Sequence, residues 1–576
     1  MKALLNSRYA WLWLMIGAAV VFIPFIGNCN LFDWDEVNFA ECAREMLVTG
    51  NYSQVQIAYQ PFWEKPPLFI WMQAGSMKLF GVSEFSARFP NAVCGVLTLL
   101  SVFLIGKHLH SKKLGWLWAL MMASTLLPHF YFKSGIIDPW FNLFILVSLY
   151  LSFVFISKRE GKKISIALLA GLTLGLAVLT KGPVALLVTG LSILIFLLWT
   201  SQLKQLWSWP MLLFAVSTLL VSASWFAVEW LSGHKAVVEE FIQYQIRLFK
   251  TEDSGHSGPL LYHVIVLLIG CFPVSFLFLM AYRKSGQGSE KDVVFRKMML
   301  ALFWVVLILF SLVKTKIIHY SSLCYFPLSY IAALGLNKSL SELTFKPVLR
   351  IAFALIALLM GVAFVLLGVV EKFKQVLISG DWIKDPFAKQ CLAAQVHWSG
   401  FEFLLGLLFL LGCAFIYSGL KNQSFFRILT GSLLNMVFIN LAILILVPKI
   451  EAYTQRASID FYRSCSLQPS YIETRGFKSY AYLFYSNRKP EDYANADQVR
   501  FVKAQLDDME KRGYQRLTSH ALANLIWLEN GKIDRPAFVV AKTIDDPVVE
   551  ENKNLAKLYS KNGYSFYVRM PVAPAK

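Results

Sequence analysis

Apolar residues occur along this chain in long runs separated by polar stretches, a pattern typical of helices that cross a membrane. Because the hydrocarbon core of a bilayer is about 30 Å thick, a helix needs about 20 mostly apolar residues to cross it. Thirteen runs approach this length, so the sequence predicts thirteen spans. They lie at 9–27, 87–106, 114–130, 138–157, 164–180, 183–200, 209–230, 259–282, 298–313, 321–337, 350–370, 400–419 and 428–447.

Composition and charge agree with a polytopic α-helical membrane protein. Hydrophobic residues make up 56% of the 576 positions and the mean hydropathy is +0.53. A net charge of +19 would suit nucleic acid binding in a soluble protein. Here Lys and Arg gather in alternate loops, such as Lys107, Lys112 and Lys113, as the positive-inside rule describes for the cytoplasmic side. We therefore predict a cytoplasmic N-terminus and no nucleic acid partner.

Two domains follow from this topology. Residues 1–447 form the membrane domain, and residues 448–576 lie on the outer side as a soluble domain of mixed α/β type. In the soluble part, 479–485 and 537–541 are predicted strands, and 498–512 is a predicted helix.

The first outer loop, 28–86, is long enough to hold structure of its own. Four apolar residues there recur at helical spacing, namely Val37, Ala40, Ala43 and Leu47. This predicts a helix lying in the membrane interface. A second interfacial helix is predicted from Leu68 to Phe80, started by Pro66-Pro67.

Candidate catalytic carboxylates stand at the start of the first interfacial helix and at the start of the fourth span. Asp35 and Glu36 favour either a base held at the membrane surface or simple stabilisation of a helix N-terminus. Asp138, followed by Pro139, is either a functional carboxylate near the bilayer or the residue that caps its helix.

Cations lie on the same outer side, against the usual charge bias. Lys65 follows Glu64 and is fixed in direction by the two prolines after it, and Arg247 lies in a later outer loop. Lys314, Lys316 and Tyr320 lie near the outer end of the ninth span. Such groups suit a lipid phosphate. The alternatives are a structural Glu64–Lys65 ion pair and lysines that extend from the bilayer to water.

Carboxylates together with cations suit the transfer of a group from a lipid phosphate. The cations stabilise the charge that grows on the leaving phosphate, and a carboxylate takes the proton of an incoming hydroxyl. If the acceptor is itself a phosphate, no strong base is needed. A metal held by His256 and a distant carboxylate is only weakly indicated, because no HxxxH or HExxH spacing is present.

Short motifs in order along nearly the whole chain resemble the GT-C superfamily of polyprenyl-phosphate-dependent glycosyltransferases. The likeness is greatest to the ArnT-like family of bacterial 4-amino-4-deoxy-L-arabinose lipid A transferases, which is related to protein O-mannosyltransferases. Besides the Asp35-Glu36 and Asp138-Pro139 pairs, the motifs are AREM (43–46), EKPPL (64–68), SARFPN (86–91), LTKGP (179–183) and KTKIIHY (314–320).

The resemblance implies a GT-C fold with thirteen spans, interfacial helices and a periplasmic C-terminal domain in the bacterial inner membrane. It implies a sugar donor carried on undecaprenyl phosphate and inverting transfer to lipid A or another envelope acceptor by a monomer. Asp35 is similar to the family's catalytic carboxylate. Glu64 and His256 are similar to ligands of a divalent metal, zinc in some members. The phosphate clamp implied by the resemblance comprises Lys65, Tyr320, Arg247 and Lys314 or Lys316.

One departure leaves the substrate open. Relatives that modify lipid A commonly have Arg-Tyr soon after the Asp-Glu pair, whereas Val37-Asn38-Phe39 follows here. The sugar and the acceptor therefore stay undecided, and transfer to a protein Ser or Thr is the first alternative. A transporter or flippase for a lipid-linked sugar is the second. The charges at span ends, rather than within spans, favour an enzyme over a transporter.

Overall fold

Helices account for most of the chain in the computed structural model, which describes residues 7–157, 163–250, 258–282, 290–338, 340, 346–380, 382–511 and 516–571. In the membrane domain they are α1 (Ala10–Phe22), α2 (Asp35–Thr49), α3 (Leu68–Phe80), α4 (Glu84–Leu109), α5 (Lys112–Ala123), α6 (Leu126–Tyr131), α7 (Asp138–Ser157), α8 (Lys163–Lys181), α9 (Val184–Trp199), α10 (Trp209–Leu231), α11 (Lys235–Lys250), α12 (Tyr262–Gly270), α13 (Val274–Ala281), α14 (Glu290–Leu312), α15 (Tyr325–Lys338), α16 (Pro347–Gly368), α17 (Val370–Ser379), α18 (Pro386–Leu392), α19 (Phe403–Lys421) and α20 (Phe425–Thr454).

Each of the thirteen predicted spans coincides with helical residues. Within the described part of the chain, eight helices are long and apolar enough to cross a membrane, and α12 with α13 forms one further candidate, bent by 109°. The remaining spans are short or interrupted: α1 and α9 are short apolar helices, α5 and α6 are separated at Ser124, and a 3-10 helix over Ile318–Cys324 precedes α15. The chain is a multi-pass membrane protein, and the count of thirteen stays a prediction.

Small residues let the spanning helices approach closely, as is common in membrane proteins. A Cβ atom added to Gly171 of α8 would lie 2.4 Å from the carbonyl oxygen of Phe214 in α10. One added to Gly175 would lie 2.5 Å from the Cβ atom of Val221. Any larger residue at these positions would push the two helices apart.

Both predicted helices of the first outer loop are present, as α2 and α3, joined through a short hairpin of β1 (Gln56–Ile57) and β2 (Gln60–Pro61). The surroundings of α2 differ from the prediction, because all its residues from Glu36 to Met46 are buried. Its polar side is covered by the C-terminal domain. The Arg44 guanidinium donates to Glu41 of the same helix and to the carbonyl oxygen of Arg488.

The C-terminal domain begins after α20, which continues through Pro448 to Thr454. Its helices and strands are α21 (Arg456–Cys465), β3 (Tyr471–Arg475), α22 (Ala481–Tyr485), α23 (Ala496–Lys511), α24 (Arg516–Asn530), β4 (Ala537–Lys542), α25 (Asp546–Val549), β5 (Ala556–Lys561) and β6 (Tyr564–Arg569). The four strands form one sheet in the order β3-β4-β6-β5, in which only β3 and β4 are parallel.

Two of the three predictions for this domain are confirmed, namely the strand at 537–541, seen as β4, and the helix at 498–512, seen as α23 over the described residues 498–511. The predicted strand at 479–485 is wrong, because residues 481–485 form the short helix α22. All five of its residues are buried, and the helix packs against α2. An aromatic run buried on every side carries no alternation that separates a strand from a helix.

Candidate active site

A cavity of about 920 Å³ opens where the first outer loop, the outer ends of several spanning helices and the C-terminal domain meet. The predicted site residues that line it are Asp35, Glu36, Glu64, Lys65, Asp138, Arg247 and Tyr320. Apolar residues from the loop after α1, from α6 and from α20 also line it, together with further charged side chains. The fold thus brings residues separated by almost 300 positions into one enclosed space.

Asp35 is the first residue of α2, where its carboxylate faces the cavity and interacts favourably with the helix dipole. It is half-buried and accepts no hydrogen bond from the residues that the structure describes. Its negative charge is one of those that act on Lys65. Among the carboxylates around the cavity, Asp35 therefore combines access with freedom to engage a ligand.

Glu36 lies one position further on but is held in a different way. Its carboxylate accepts two hydrogen bonds from the Arg88 guanidinium, at 2.9 and 2.8 Å, and one each from the backbone N–H groups of Phe32 and Gly135. Burial alone would raise the pKa of Glu36, but Arg88 and these N–H donors hold it below its ordinary value. With every lone-pair direction engaged, Glu36 fits a structural role better than the catalytic role predicted for it.

Lys65 forms one wall of the cavity with residues of α11. Its Nζ atom lies 5.2 Å from the ring centroid of Tyr244, and the Arg247 guanidinium lies at the same distance from that ring. Tyr244 donates to Glu64 at 3.5 Å. Burial would lower the pKa of Lys65, but Tyr244 and Glu64 raise it above its ordinary value, so the ammonium group stays charged. This wall is suited to an anion.

Asp138 begins α7 and is nearly inaccessible. Its Oδ1 atom accepts a hydrogen bond of 2.5 Å from Lys181 at the end of α8, and its Oδ2 atom lies 3.9 Å from His319 Nε2. The Lys181 ammonium also lies 5.4 Å from the ring centroid of Tyr320. Asp138 therefore holds Lys181 at the edge of the cavity, next to the ring of Tyr320.

The two predicted phosphate-binding lysines before Tyr320 lie elsewhere. Lys316 is buried, and its ammonium donates to the carbonyl oxygens of Phe310, Ser311 and Val313, at 3.2, 2.6 and 2.6 Å. It thereby satisfies carbonyls that the end of α14 would otherwise leave unpaired. Lys314 is exposed and is not among the residues that line the cavity. Neither side chain contributes to the cation wall in this arrangement.

Three further cations line the cavity that received no binding role from the sequence, Arg88, Lys133 and Lys478. Arg88, in the SARFPN motif, pairs with Glu36 and donates to the carbonyl oxygens of Cys29 and Asn30. Lys478 comes from the C-terminal domain and lies 5.0 Å from the Trp34 ring centroid. An arginine within a predicted span was the available signal for Arg88, whereas no local pattern marks Lys478.

Asp33 is a further carboxyl group that the sequence analysis passed over. Its side chain keeps open surface on the cavity but is otherwise surrounded by protein, and burial raises the pKa of its carboxyl to about 6. Hydrogen bonds from Ser479 and from the backbone of Tyr480 oppose this rise. Asp33 is therefore harder to ionise than a typical surface aspartate.

The predicted metal site receives no support from the described residues. Glu64 lines the cavity, but no group of three or more His, Cys, Asp or Glu residues within the described ranges is arranged to hold a metal ion. His256, the second predicted ligand, lies outside the described residues. Glu64 is engaged by Tyr244 instead, so its known surroundings fit a hydrogen-bond acceptor.

Comparisons of sequence identify relatives for part of the chain. The dolichyl-phosphate-mannose-protein mannosyltransferase family matches residues 64–226. The undecaprenyl phosphate-alpha-4-amino-4-deoxy-L-arabinose arabinosyl transferase of Shewanella sediminis is 30% identical over 321 residues, covering 54% of this chain and 57% of the relative. The protein of that name from Pseudomonas aeruginosa is 28% identical over 345 residues, covering 58% and 61%. The chain thus spans about three-fifths of the length of these curated relatives.

Comparison of structures extends the likeness to the whole chain. The crystal structure of ArnT from Cupriavidus metallidurans bound to undecaprenyl phosphate matches with a TM-score of 0.75 and covers 99% of each chain, at 17% identity. Its apo structure matches with a TM-score of 0.74. The two proteins share a fold, including the arrangement of the membrane helices with the C-terminal domain.

Proposed function

We propose that this chain, a relative of the ArnT-like transferases with their GT-C membrane fold, is an integral-membrane glycosyltransferase. It transfers a sugar from undecaprenyl phosphate to an acceptor, most directly lipid A, on the periplasmic side of the bacterial inner membrane. One observation carries the proposal: Asp35, free of hydrogen bonds from the described residues, shares a cavity with the half-buried, charged Lys65. The names of the relatives supply the donor, and lipid A as the acceptor follows from the resemblance to the ArnT-like family.

The proposed donor site is the wall formed by Lys65, Arg247 and Tyr320. Lysine and arginine at the membrane surface bind a lipid phosphate through charge-assisted hydrogen bonds. In the transition state the bond between the sugar anomeric carbon and the phosphate oxygen breaks, and the electron pair leaves on undecaprenyl phosphate. Lys65 stabilises the charge that develops there, with Lys181 held nearby by Asp138.

The acceptor oxygen attacks the anomeric carbon from the opposite side, so the configuration inverts. If the acceptor is a hydroxyl group, Asp35 takes its proton as the new bond forms. If it is a phosphate oxygen, no proton needs to leave, and Asp35 stabilises the positive charge that develops on the sugar ring. Glu36 has no part in these steps because Arg88 occupies it.

The proposed orientation places the N-terminus in the cytoplasm and the cavity with the C-terminal domain in the periplasm. Its support is the alternation of Lys and Arg between loops. A monomer is proposed because residues of a single chain enclose the cavity.

A divalent metal, zinc by analogy, remains a proposal that rests on the resemblance alone. Glu64 and His256 would hold it, and the proposed transfer steps do not involve it. Metal analysis of the purified protein after mild dialysis tests this directly: about one ion per chain supports a site, whereas a substoichiometric content removes it.

The second candidate is transfer to a protein Ser or Thr, favoured by the match of residues 64–226 to a protein mannosyltransferase family. It uses the same donor wall and requires Asp35 as a base. The two candidate functions therefore differ in the acceptor and share the same donor-binding site.

A transfer assay with purified protein in nanodiscs tests the proposal. Undecaprenyl phosphate-linked aminoarabinose is supplied with either lipid A or a Ser/Thr-rich peptide, and the products are separated by mass. We expect glycosylated lipid A from the wild type and none from Asp35→Asn. Product on the peptide alone would favour the second candidate, and no product on either would refute both for this donor.

A further inference from the structure

Lys133 is a cavity-lining cation that the donor site leaves unused. It lies in the loop between α6 and α7, and its ammonium donates to the carbonyl oxygen of Pro24 at 3.2 Å. This is the only hydrogen bond that the ammonium group makes among the residues that the structure describes. By contrast, Arg88 is paired with Glu36 and Lys181 with Asp138.

Hydrogen bonds tie the loop that carries Lys133 to α4 and to α2, the helix that begins at Asp35. The Asn91 side chain donates to the carbonyl oxygens of Ser134 and Ile136, both at 2.6 Å. The N–H group of Gly135 donates to Glu36, the neighbour of Asp35 in α2. These bonds fix Lys133 relative to the proposed reaction centre, as a binding residue requires.

Electrostatically, Lys133 is separate from the donor wall. The charged neighbours of Lys65 are Glu64 and Asp35, with the hydroxyls of Tyr244 and Tyr320. None of these groups influences Lys133, and burial alone lowers its pKa to about 8. An ammonium group that is partly buried without an acidic partner is stabilised by any anion that reaches it.

The surroundings of Lys133 are apolar in the way a lipid requires. Pro24, the hydrogen-bond partner of Lys133, is followed in the chain by Phe25 and Ile26. Phe130 of α6 lies three positions before Lys133, and all three apolar residues line the cavity. Ile443, Leu444 and Val447, in the C-terminal half of α20, line the same cavity. We call this part of the cavity, from Phe25 and Ile26 to α20, the apolar arm. It offers space for lipid chains directly beside a cation.

We propose that Lys133 binds the anionic group of the acceptor lipid, while the Lys65 wall binds the phosphate of the donor. This assignment rests on the proposed function and adds a specificity residue to it. Two separate cation sites in one cavity would hold two negatively charged lipids without mutual displacement. A protein hydroxyl acceptor would have no use for Lys133.

Separate kinetics for the two substrates test the assignment. Lys133→Gln is compared with Lys65→Gln, and Lys204→Gln serves as the control, because Lys204 is exposed in the 3-10 helix between α9 and α10 and does not line the cavity. Loss of one charge-assisted hydrogen bond predicts that Lys133→Gln raises the KM for bisphosphorylated lipid A about tenfold or more and leaves the KM for the donor unchanged. Lys65→Gln should give the opposite pattern, and Lys133→Arg should restore part of the acceptor affinity.

Binding without turnover separates this inference from the proposed reaction. Titration of purified protein with undecaprenyl phosphate and, separately, with lipid A or its dephosphorylated form reports each site directly. We expect Lys133→Gln to weaken binding of bisphosphorylated lipid A only. Weaker binding of undecaprenyl phosphate would overturn the assignment and give Lys133 to the donor. Equal binding of lipid A by wild type and Lys133→Gln would also overturn it, even if transfer occurs.

Discussion

Replacing Glu36 should damage the fold rather than the chemistry. Glu36→Gln keeps the shape of the side chain but removes the negative charge that compensates the buried Arg88 guanidinium. Breaking a buried ion pair by removing one partner costs about 3–5 kcal/mol. This corresponds to roughly 2 to 3.5 orders of magnitude in the folding equilibrium constant. The backbone donors at Phe32 and Gly135 lose part of their acceptor as well.

Thermal unfolding in detergent, followed by size-exclusion chromatography of the protein that remains folded, measures this loss. Asp35→Asn is the matched control, because its carboxylate makes no hydrogen bond within the described residues and loses at most about 1 kcal/mol of helix-dipole interaction. We expect Glu36→Gln to melt well below wild type and Asp35→Asn to melt close to it with transfer abolished.

A double-mutant cycle sharpens the test. The double variant Glu36→Gln/Arg88→Met leaves no uncompensated charge buried. Its loss of stability should therefore be smaller than the sum of the losses of the two single variants. If Glu36→Gln instead melts like wild type and loses transfer as Asp35→Asn does, Glu36 is part of the chemistry and the structural interpretation is wrong.

Three further predictions concern other residues. Lys65→Gln should weaken binding of undecaprenyl phosphate about 10- to 100-fold through loss of charge-assisted hydrogen bonds, as measured by ligand titration; unchanged affinity would remove Lys65 from the donor site. Lys316→Met should lower thermal stability and leave that affinity unchanged, because its ammonium binds helix carbonyls; a weaker donor affinity would return it to the phosphate clamp. Glu473 is buried in the C-terminal domain, which raises its pKa from 4.5 to about 7. Because the pKa of this carboxyl is higher in the folded state than in the unfolded state, the protein loses stability as pH rises from about 4.5 to about 7. The loss in the free energy of unfolding is on the order of 3 kcal/mol. Glu473→Gln should flatten the dependence of the free energy of unfolding on pH in that window. An unaltered slope would contradict the raised pKa of Glu473.

Much of the membrane domain could be predicted from the sequence because lipid imposes a simple rule on its helices. An unbroken apolar run must satisfy its backbone within a helix, so all thirteen predicted spans coincide with helical residues. This rule does not predict where a membrane helix is interrupted or bent. The separation of α5 from α6 at Ser124 and the 109° bend between α12 and α13 depend on packing against neighbouring helices.

The candidate site was predictable where local chemistry is unusual and not where it depends on distant partners. Asp35 and Lys65 stand out as charges beside apolar segments. Glu36 looks equivalent to Asp35 in the sequence, and only the placement of Arg88 in α4 distinguishes the two. Likewise, Lys316 differs from Lys65 only because three carbonyl groups lie within its reach.

The C-terminal domain shows the same limit. Lys478 lines the cavity only because its domain folds over α2, a contact between residues more than 400 positions apart. The helix α22 became buried in the same contact, and its aromatic composition alone favoured a strand.

Mass spectrometry of the cell envelope tests the central claim most directly. Lipid A and envelope proteins are compared between cells that lack this chain, cells that carry it and cells that carry Asp35→Asn at equal expression. The proposed function predicts a sugar-sized mass increase on lipid A that requires the chain and disappears with Asp35→Asn. Unmodified lipid A together with a mass increase on proteins, or with altered pools of lipid-linked sugar alone, would contradict it.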